Sequence, residues 1–171
     1  MGSPESPLLT DALEERARRV LEACRARGVR LALAEASAGG LLAACLTDIP
    51  GASAVVERGL VPYSNEAKTE LLGVPVELMR AHGAVSAEVA RALAEGALAR
   101  SHADLALAET GIAGPGGGSA DKPVGLVFLA LASRQAPTLC ERHVLSGNRR
   151  EIRLATALRG LEVLLSRLTL G

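Results

Sequence analysis

The chain has 171 residues, enough for one domain that buries a proper core. Its nineteen Lys and Arg residues balance nineteen Asp and Glu residues, so no net field gathers nucleic acid or an anionic membrane surface, and no apolar run reaches the length of a membrane span. Cys24, Cys45 and Cys140 are too far apart for a CxxC pair, and Met1-Gly2-Ser3-Pro4-Glu5 is not a charged-then-apolar leader, so the expected compartment is a reducing cytoplasm.

Residues 1–10 are expected to be a disordered N-terminus, with the folded domain over 11–171. Thr10 has the character of an N-cap, with Asp11 and Glu14 in the first turn. Leu13, Ala17, Val20, Leu21 and Cys24 then form a helical apolar stripe that Gly28 terminates. A short apolar run, Leu31-Ala32-Leu33-Ala34, leads into Glu35-Ala36-Ser37-Ala38-Gly39-Gly40 and a helix-like segment from Leu41 to Leu46. A strand ending in a carboxylate and small residues, followed by two glycines opening a helix, makes either a concave anion-favouring site or a plain tight turn.

Asp48 to Ala52 reads as a turn, and Val55 to Tyr63 as a strand that Pro62 confines to an edge or an end. Helices are expected over Asn65–Leu72 and Pro75–Ala81, and a longer one is capped by Ser86, with Val89, Ala90, Leu93, Ala94, Ala97 and Leu98 on one face. Leu105-Ala106-Leu107-Ala108 is continuous enough for a buried strand. The loop Thr110–Gly118 follows, and then strands over Val124–Leu131 and Thr138–Leu145 are joined across Arg134-Gln135-Ala136-Pro137. Asn148 and Glu151 have capping-box spacing before a helix whose stripe is Ile152, Ala155, Leu158, Leu161, Leu165 and Leu168. Strands alternating with helices and then a late hairpin predict an α/β fold: a single-domain, three-layer α/β/α sandwich on a mixed sheet, without internal repeat.

Three features bear on chemistry. The Thr110–Gly118 loop matches neither GxxxxGK[ST] nor GxGxxG, which argues against P-loop nucleotide hydrolysis and a dinucleotide fold. It nonetheless leaves a buried strand, where open α/β sheets bind ligands, and Lys122 closes it, either facing a phosphate or solvated. Lys68 and Lys122 are the only lysines among nineteen basic residues, and Tyr63 is the sole tyrosine. Lysine can lose its proton when desolvated and arginine effectively cannot, so the Tyr63–Lys68 segment suits acyl-transfer chemistry, or is simply a capped helix with an exposed lysine. Arg149, Arg150 and Arg153 at the last helix either clamp a phosphate or are solvated. The three histidines, His82, His102 and His143, are scattered and suggest no local metal site.

Taken together, Glu35–Gly40, Leu46–Gly51, Val61–Lys68, His82–Ser86, Thr110–Gly118, Lys122–Gly125 and Gly147-Asn148-Arg149 resemble, in order, the motifs of the CinA C-terminal domain family, in its stand-alone form. The resemblance covers nearly everything after the first helix. It implies nicotinamide-nucleotide amidase activity, in which nicotinamide mononucleotide and water give nicotinate mononucleotide and ammonia in pyridine-nucleotide salvage, with no metal or organic cofactor. It also implies a homodimer; the balanced charge and near absence of aromatic residues argue separately against nucleic acid, and the charge against a membrane surface, as partner. The family pattern at the opening stretch is Glu-Ser-Cys-Thr-Gly-Gly, with the serine as nucleophile; here those three middle positions are Ala36, Ser37 and Ala38. The activating tyrosine and lysine correspond to Tyr63 and Lys68. Pro62 stands for a common threonine and Asn148 for a common aspartate.

Ala36 carries no group that attacks a carbonyl. The expected catalytic set is therefore Tyr63, Lys68 and Ser37, the last as substitute nucleophile unless a water held by Lys68 and Tyr63 takes that part. Glu35, Ala36, Gly39, Gly40, Asn65, Thr110, Gly111, Gly114 and Arg149 are expected to bound the substrate pocket. The rival readings are a non-catalytic pyridine-nucleotide-binding module and an interaction protein in competence or damage responses.

Overall fold

A computed structural model describes residues 10–169, so the expectation of disorder over 1–10 lies, Thr10 apart, outside the described residues. Helix α1 (Asp11–Arg27) begins where Thr10 Oγ1 accepts the Leu13 N–H at 3.4 Å, and ends where Gly28, at φ 63°, turns back to the carbonyl of Arg25. The predicted stripe of Leu13, Ala17, Val20, Leu21 and Cys24 is its buried face.

Strand β1 (Leu31–Glu35) leads to α2 (Leu41–Thr47), and a 3-10 turn at Ala52–Ala54 precedes β2 (Val56–Leu60). Next come α3 (Asn65–Leu72), α4 (Val76–His82) and α5 (Ala87–Ala99), then β3 (Leu105–Gly111), β4 (Leu126–Ser133), β5 (Ala136–Val144) and α6 (Arg149–Thr169). The five strands lie in the order β2-β1-β3-β4-β5. Strand β1 runs parallel to both its neighbours, and β4 antiparallel to β3 and β5. This is the mixed-sheet, three-layer sandwich the alternation predicts.

Alternation within the strands sorts the core by size. Leu31, Leu33, Leu105, Leu107, Leu129 and Leu131 meet α1, α2 and α6 on one face. Ala32, Ala34, Ala106, Ala108, Ala130 and Ala132 point the other way, toward α5 and Leu72. Small residues on that face let the second layer come close. A Cβ on Gly96 of α5 would sit 2.1 Å from the Leu72 carbonyl oxygen, so the end of α3 rests directly on α5 backbone.

Several boundaries differ from expectation, each for a local reason. Strand β2 ends at Leu60, because Pro62 cannot donate to a ladder; Val61-Pro62-Tyr63 leave the sheet instead. Strand β3 is longer than its apolar run: Glu109, Thr110 and Gly111 pair with Leu129, Phe128 and Val127 of β4, so two of the presumed loop residues belong to the strand. The late hairpin turns at Arg134-Gln135, and Pro137 lies within β5, which tolerates it as an edge strand. Helix α4 starts one residue later than expected, with Pro75 as its N-cap residue. The α6 stripe is wider than a single row, since Thr156, Ala157, Gly160, Val163 and Leu164 are also buried while Ala155 and Leu158 are half-buried. Its capping box is present, with the Glu151 N–H donating to Asn148 Oδ1 at 3.0 Å and the Asn148 N–H donating to Glu151 Oε2 at 2.7 Å.

The topology also places the site. From β1 the chain passes over the leucine face through α2 to β2, then returns over the alanine face through α3, α4 and α5 to β3. The carboxyl ends of β1 and β3 therefore border a crevice at a topological switch point.

Candidate active site

A pocket of about 210 Å3 opens at that crevice, lined by residues that follow β1, β2 and β3. A larger hollow, about 450 Å3, lies at the other end of the sheet beside Arg27, Asp104 and Arg134. There Arg134 is committed to the carbonyls of Leu98, Ser101 and Ala103. The titratable and nucleophilic side chains expected to carry chemistry converge in the smaller one.

Its floor is the end of β1 and β3. Ala36 and Ser37 both line the pocket, and the Ser37 hydroxyl donates to Glu109 Oε2 at 2.5 Å. The other oxygen, Oε1, accepts the Ala38 N–H at 2.7 Å. Glu109 is 0% exposed. Burial pushes its carboxyl up to about 7, against the pull of the Ser37 hydroxyl and the Ala38 N–H, with Glu35 pushing further the same way. Gly111 also forms part of the floor, where a Cβ would stand 2.9 Å from Ser37 Oγ. Only glycine leaves that hydroxyl its space.

One wall comes from α3. Ser64 caps it by accepting the Ala67 N–H at 3.0 Å, which brings Asn65 and Lys68 to the pocket. Lys68 is 4% exposed, and its Nζ donates to the backbone carbonyls of Tyr63 at 3.1 Å and Ser64 at 3.5 Å. Burial lowers its pKa, while Glu109 and Glu66 act in the opposite direction. The Tyr63 phenol is not turned to this amine. Its oxygen accepts from Arg149 Nη2 at 3.1 Å, and Arg149 Nη1 donates to the Gly114 carbonyl at 2.8 Å, bridging the pocket mouth. Thr110 Oγ1 donates to the Ala84 carbonyl at 2.8 Å and fixes the remaining wall.

Eight of the twelve expected site residues line this pocket: Ala36, Ser37, Tyr63, Asn65, Lys68, Thr110, Gly111 and Arg149. Gly114 reaches its rim through the bond to Arg149. The other three lie outside the lining. Glu35 spends its carboxylate on the start of α2, accepting the Leu42 and Ala43 N–H groups at 2.9 and 2.8 Å. Gly39 and Gly40, at φ 63° and 95°, turn the chain into that helix. Lys122, read as facing a phosphate or solvent, is half-buried: its Nζ donates to the carbonyls of His82, at 2.5 Å, and Val85, at 2.8 Å, tying the glycine-rich loop to the turn between α4 and α5. Arg153 likewise holds the Ser37 and Ala38 carbonyls at 3.3 and 2.8 Å.

Glu109 is the site residue that the sequence reading missed. Its signal was a short repeat, which corrects the expectation of none: Leu31-Ala32-Leu33-Ala34-Glu35 and Leu105-Ala106-Leu107-Ala108-Glu109 are the same pentapeptide, and the two copies pair in parallel register. In-register parallel strands put both glutamates on one face. Among the described residues no group of three His, Cys, Asp or Glu side chains is placed to hold a metal, and no helix is long and apolar enough to cross a membrane.

A carboxyl whose pKa is raised by folding binds its proton more tightly in the folded state, so ionising it costs stability. Stability should therefore fall as pH rises from about 4.5 to about 7, with Glu109 contributing on the order of 3 kcal/mol. Glu109→Gln should remove its part of that decline in denaturant titrations at a series of pH values, leaving the part due to Glu35, whose pKa burial also raises.

The model of the CinA C-terminal domain matches residues 13–168. A CinA-like protein of Geobacter sulfurreducens is 54% identical over 144 residues, covering 84% of this chain and 35% of the relative. One from Anaeromyxobacter sp. is 50% identical over 154 residues, covering 90% and 37%. The chain thus spans about a third of the length of these curated relatives. The crystal structure of competence/damage inducible protein CihA from Agrobacterium tumefaciens superposes with a TM-score of 0.91 at 48% identity, covering 94% of this chain and 98% of that one. By sequence and by fold, the chain belongs to the CinA C-terminal domain family.

Proposed function

We propose that the pocket binds nicotinamide mononucleotide and hydrolyses its carboxamide, giving nicotinate mononucleotide and ammonia, in the cytoplasm. The observation that carries this reading is the placement of the Ser37 hydroxyl and the buried Lys68 ammonium on the same small pocket at the ends of β1 and β3. A volume of about 210 Å3 suits a pyridine ring and its carboxamide more than a whole nucleotide. The ribose and phosphate then lie across the mouth, where Arg149 supplies a cation and Asn65 an amide. Ala36, Thr110 and Gly111 bound the ring.

Ser37 supplies the attacking oxygen that Ala36 lacks. Lys68 uses two N–H groups on the Tyr63 and Ser64 carbonyls, which leaves its third for the substrate nitrogen. Tyr63, anchored by Arg149, flanks the entry. A second reading, a non-catalytic nucleotide-binding module, is favoured by one observation: the position of the family serine is Ala36.

Incubation of the purified protein with nicotinamide mononucleotide, followed by assay of ammonia and by chromatography of the nucleotides, separates the two. Steady release of both products supports the amidase. Binding by calorimetry without release would establish the module, and neither binding nor release would reject both.

A further inference from the structure

Two glutamates in identical pentapeptides lie side by side at the ends of β1 and β3, yet they are used differently. Glu35 spends its oxygens on backbone N–H groups at the start of α2, a structural use. Glu109 places one oxygen on the Ala38 N–H and the other on a hydroxyl that lines the pocket. A fully buried carboxylate bonded to two uncharged donors is an expensive way to hold a turn, since an amide oxygen could accept the Ala38 N–H equally well. What an amide could not do is take a proton.

We propose that Glu109 is the general base that activates Ser37, through the hydrogen bond joining them at the pocket floor. The proposal deepens the amidase reading and rests on it for its substrate. As Ser37 Oγ bonds to the carboxamide carbon, its proton passes to Glu109 Oε2. The C–N bond then breaks, with Lys68 giving a proton to the departing ammonia and an ester left on Ser37. In the second half, water adds to the ester carbonyl and yields a proton to the neutral Lys68 amine. The C–Oγ bond breaks, Glu109 returns its proton to Ser37, and the carboxylic acid leaves and ionises. The two proton carriers thus end as they began.

This division needs an ionised Glu109 and a protonated Lys68 at the start. The charged groups that act on Glu109 or share its floor and pocket are Glu35 on β1, paired with it in register, and Lys68 on α3. Arg153 on α6 acts on Glu35, and Arg149 of the same helix lines the pocket with the Tyr63 phenol at its mouth. Burial, and after it Glu35, hold the Glu109 proton on, while the Ser37 hydroxyl and the Ala38 N–H draw it off, so the balance falls near neutrality.

The test uses the whole chain and two readouts. With nicotinamide mononucleotide, kcat/KM should climb with pH through about 7. Glu109→Gln should remove that climb and lower kcat by about 10²–10⁴-fold with nucleotide affinity retained. Ser37→Ala should lose at least as much, and the double variant little more, since the pair acts as a unit. The second readout does not depend on the substrate: a fluorophosphonate forms a phosphorus–oxygen bond to an activated serine as fluoride leaves. Intact mass should show one adduct on wild type, mapped to Ser37, formed at least tenfold faster than on Glu109→Gln, whose melting curve verifies its fold. Equal labelling of wild type and Glu109→Gln, or no label on Ser37, would overturn the proposal. Glu109-dependent labelling without ammonia release would uphold the base and reject the amide as substrate.

Discussion

Replacing Lys68 by Met should lower kcat on nicotinamide mononucleotide by about 10²–10⁴-fold while leaving nucleotide binding within a few-fold of wild type. The direction follows from burial. Lys68 is 4% exposed, and desolvation lowers its pKa, so its ammonium gives up a proton more readily than a surface lysine would. A departing amide nitrogen needs that proton, and the other lysine, Lys122, is outside the pocket lining and held by the carbonyls of His82 and Val85. Methionine is the informative exchange because it fills most of the same volume and keeps the apolar stem against its neighbours. Arginine should fail as well, since it cannot deprotonate and its fork does not fit a site shaped for one nitrogen. Single-turnover assays at saturating nucleotide measure the chemical step apart from binding. A Lys68→Met protein with wild-type kcat would remove the amine from the mechanism.

Gly125→Ala should destabilise the domain by about 4 kcal/mol or more, placing it in the exceptional tail of single substitutions. Two costs combine there. Gly125 has φ 92°, which L side chains rarely adopt, and an added Cβ would lie 1.8 Å from the Leu145 carbonyl oxygen. That neighbour is backbone, so no rotamer change relieves the overlap. The strand ends would have to part, and with them the bonds from the Gly125 N–H to the Ile112 carbonyl and from the Leu145 N–H to the Gly125 carbonyl, both at 2.8 Å. These bonds hold the glycine-rich loop, the start of β4 and the approach to α6 together, so Arg149 and Gly114 would move too. Thermal denaturation should show a melting temperature lowered by roughly 10 °C. Gly116→Ala is the control, because nothing lies within 4 Å of a Cβ there and its φ lies outside the left-handed region; it should melt within about 2 °C of wild type.

Most of the fold was legible because its signals are local. The Thr10 cap, the Gly28 terminus, the Asn65–Leu72 helix and the Asn148–Glu151 capping box each depend on residues a few positions apart. Strand ends were less legible, because β3 and β4 extend as far as their partners allow and not as far as hydropathy does. The same limit hid part of the site. Ser37, Tyr63 and Lys68 stand in recognisable motifs, whereas Glu109 follows an apolar run, and its meaning depends on a register between strands that are more than seventy residues apart. The duplicated pentapeptide was visible in the sequence, but only the pairing of its copies makes it a site. Lys122 shows the converse: a conspicuous charge beside glycines, spent on two carbonyls.

The most direct test of the account is a crystal structure of the Ser37→Ala protein with nicotinamide mononucleotide bound. The ring should occupy the pocket between Ala36, Lys68 and Gly111, with the carboxamide carbon about 3.5 Å from where Ser37 Oγ lies in the wild type and the phosphate at Arg149. A nucleotide seated elsewhere, or one whose carboxamide faces away from residue 37 and Lys68, would contradict it.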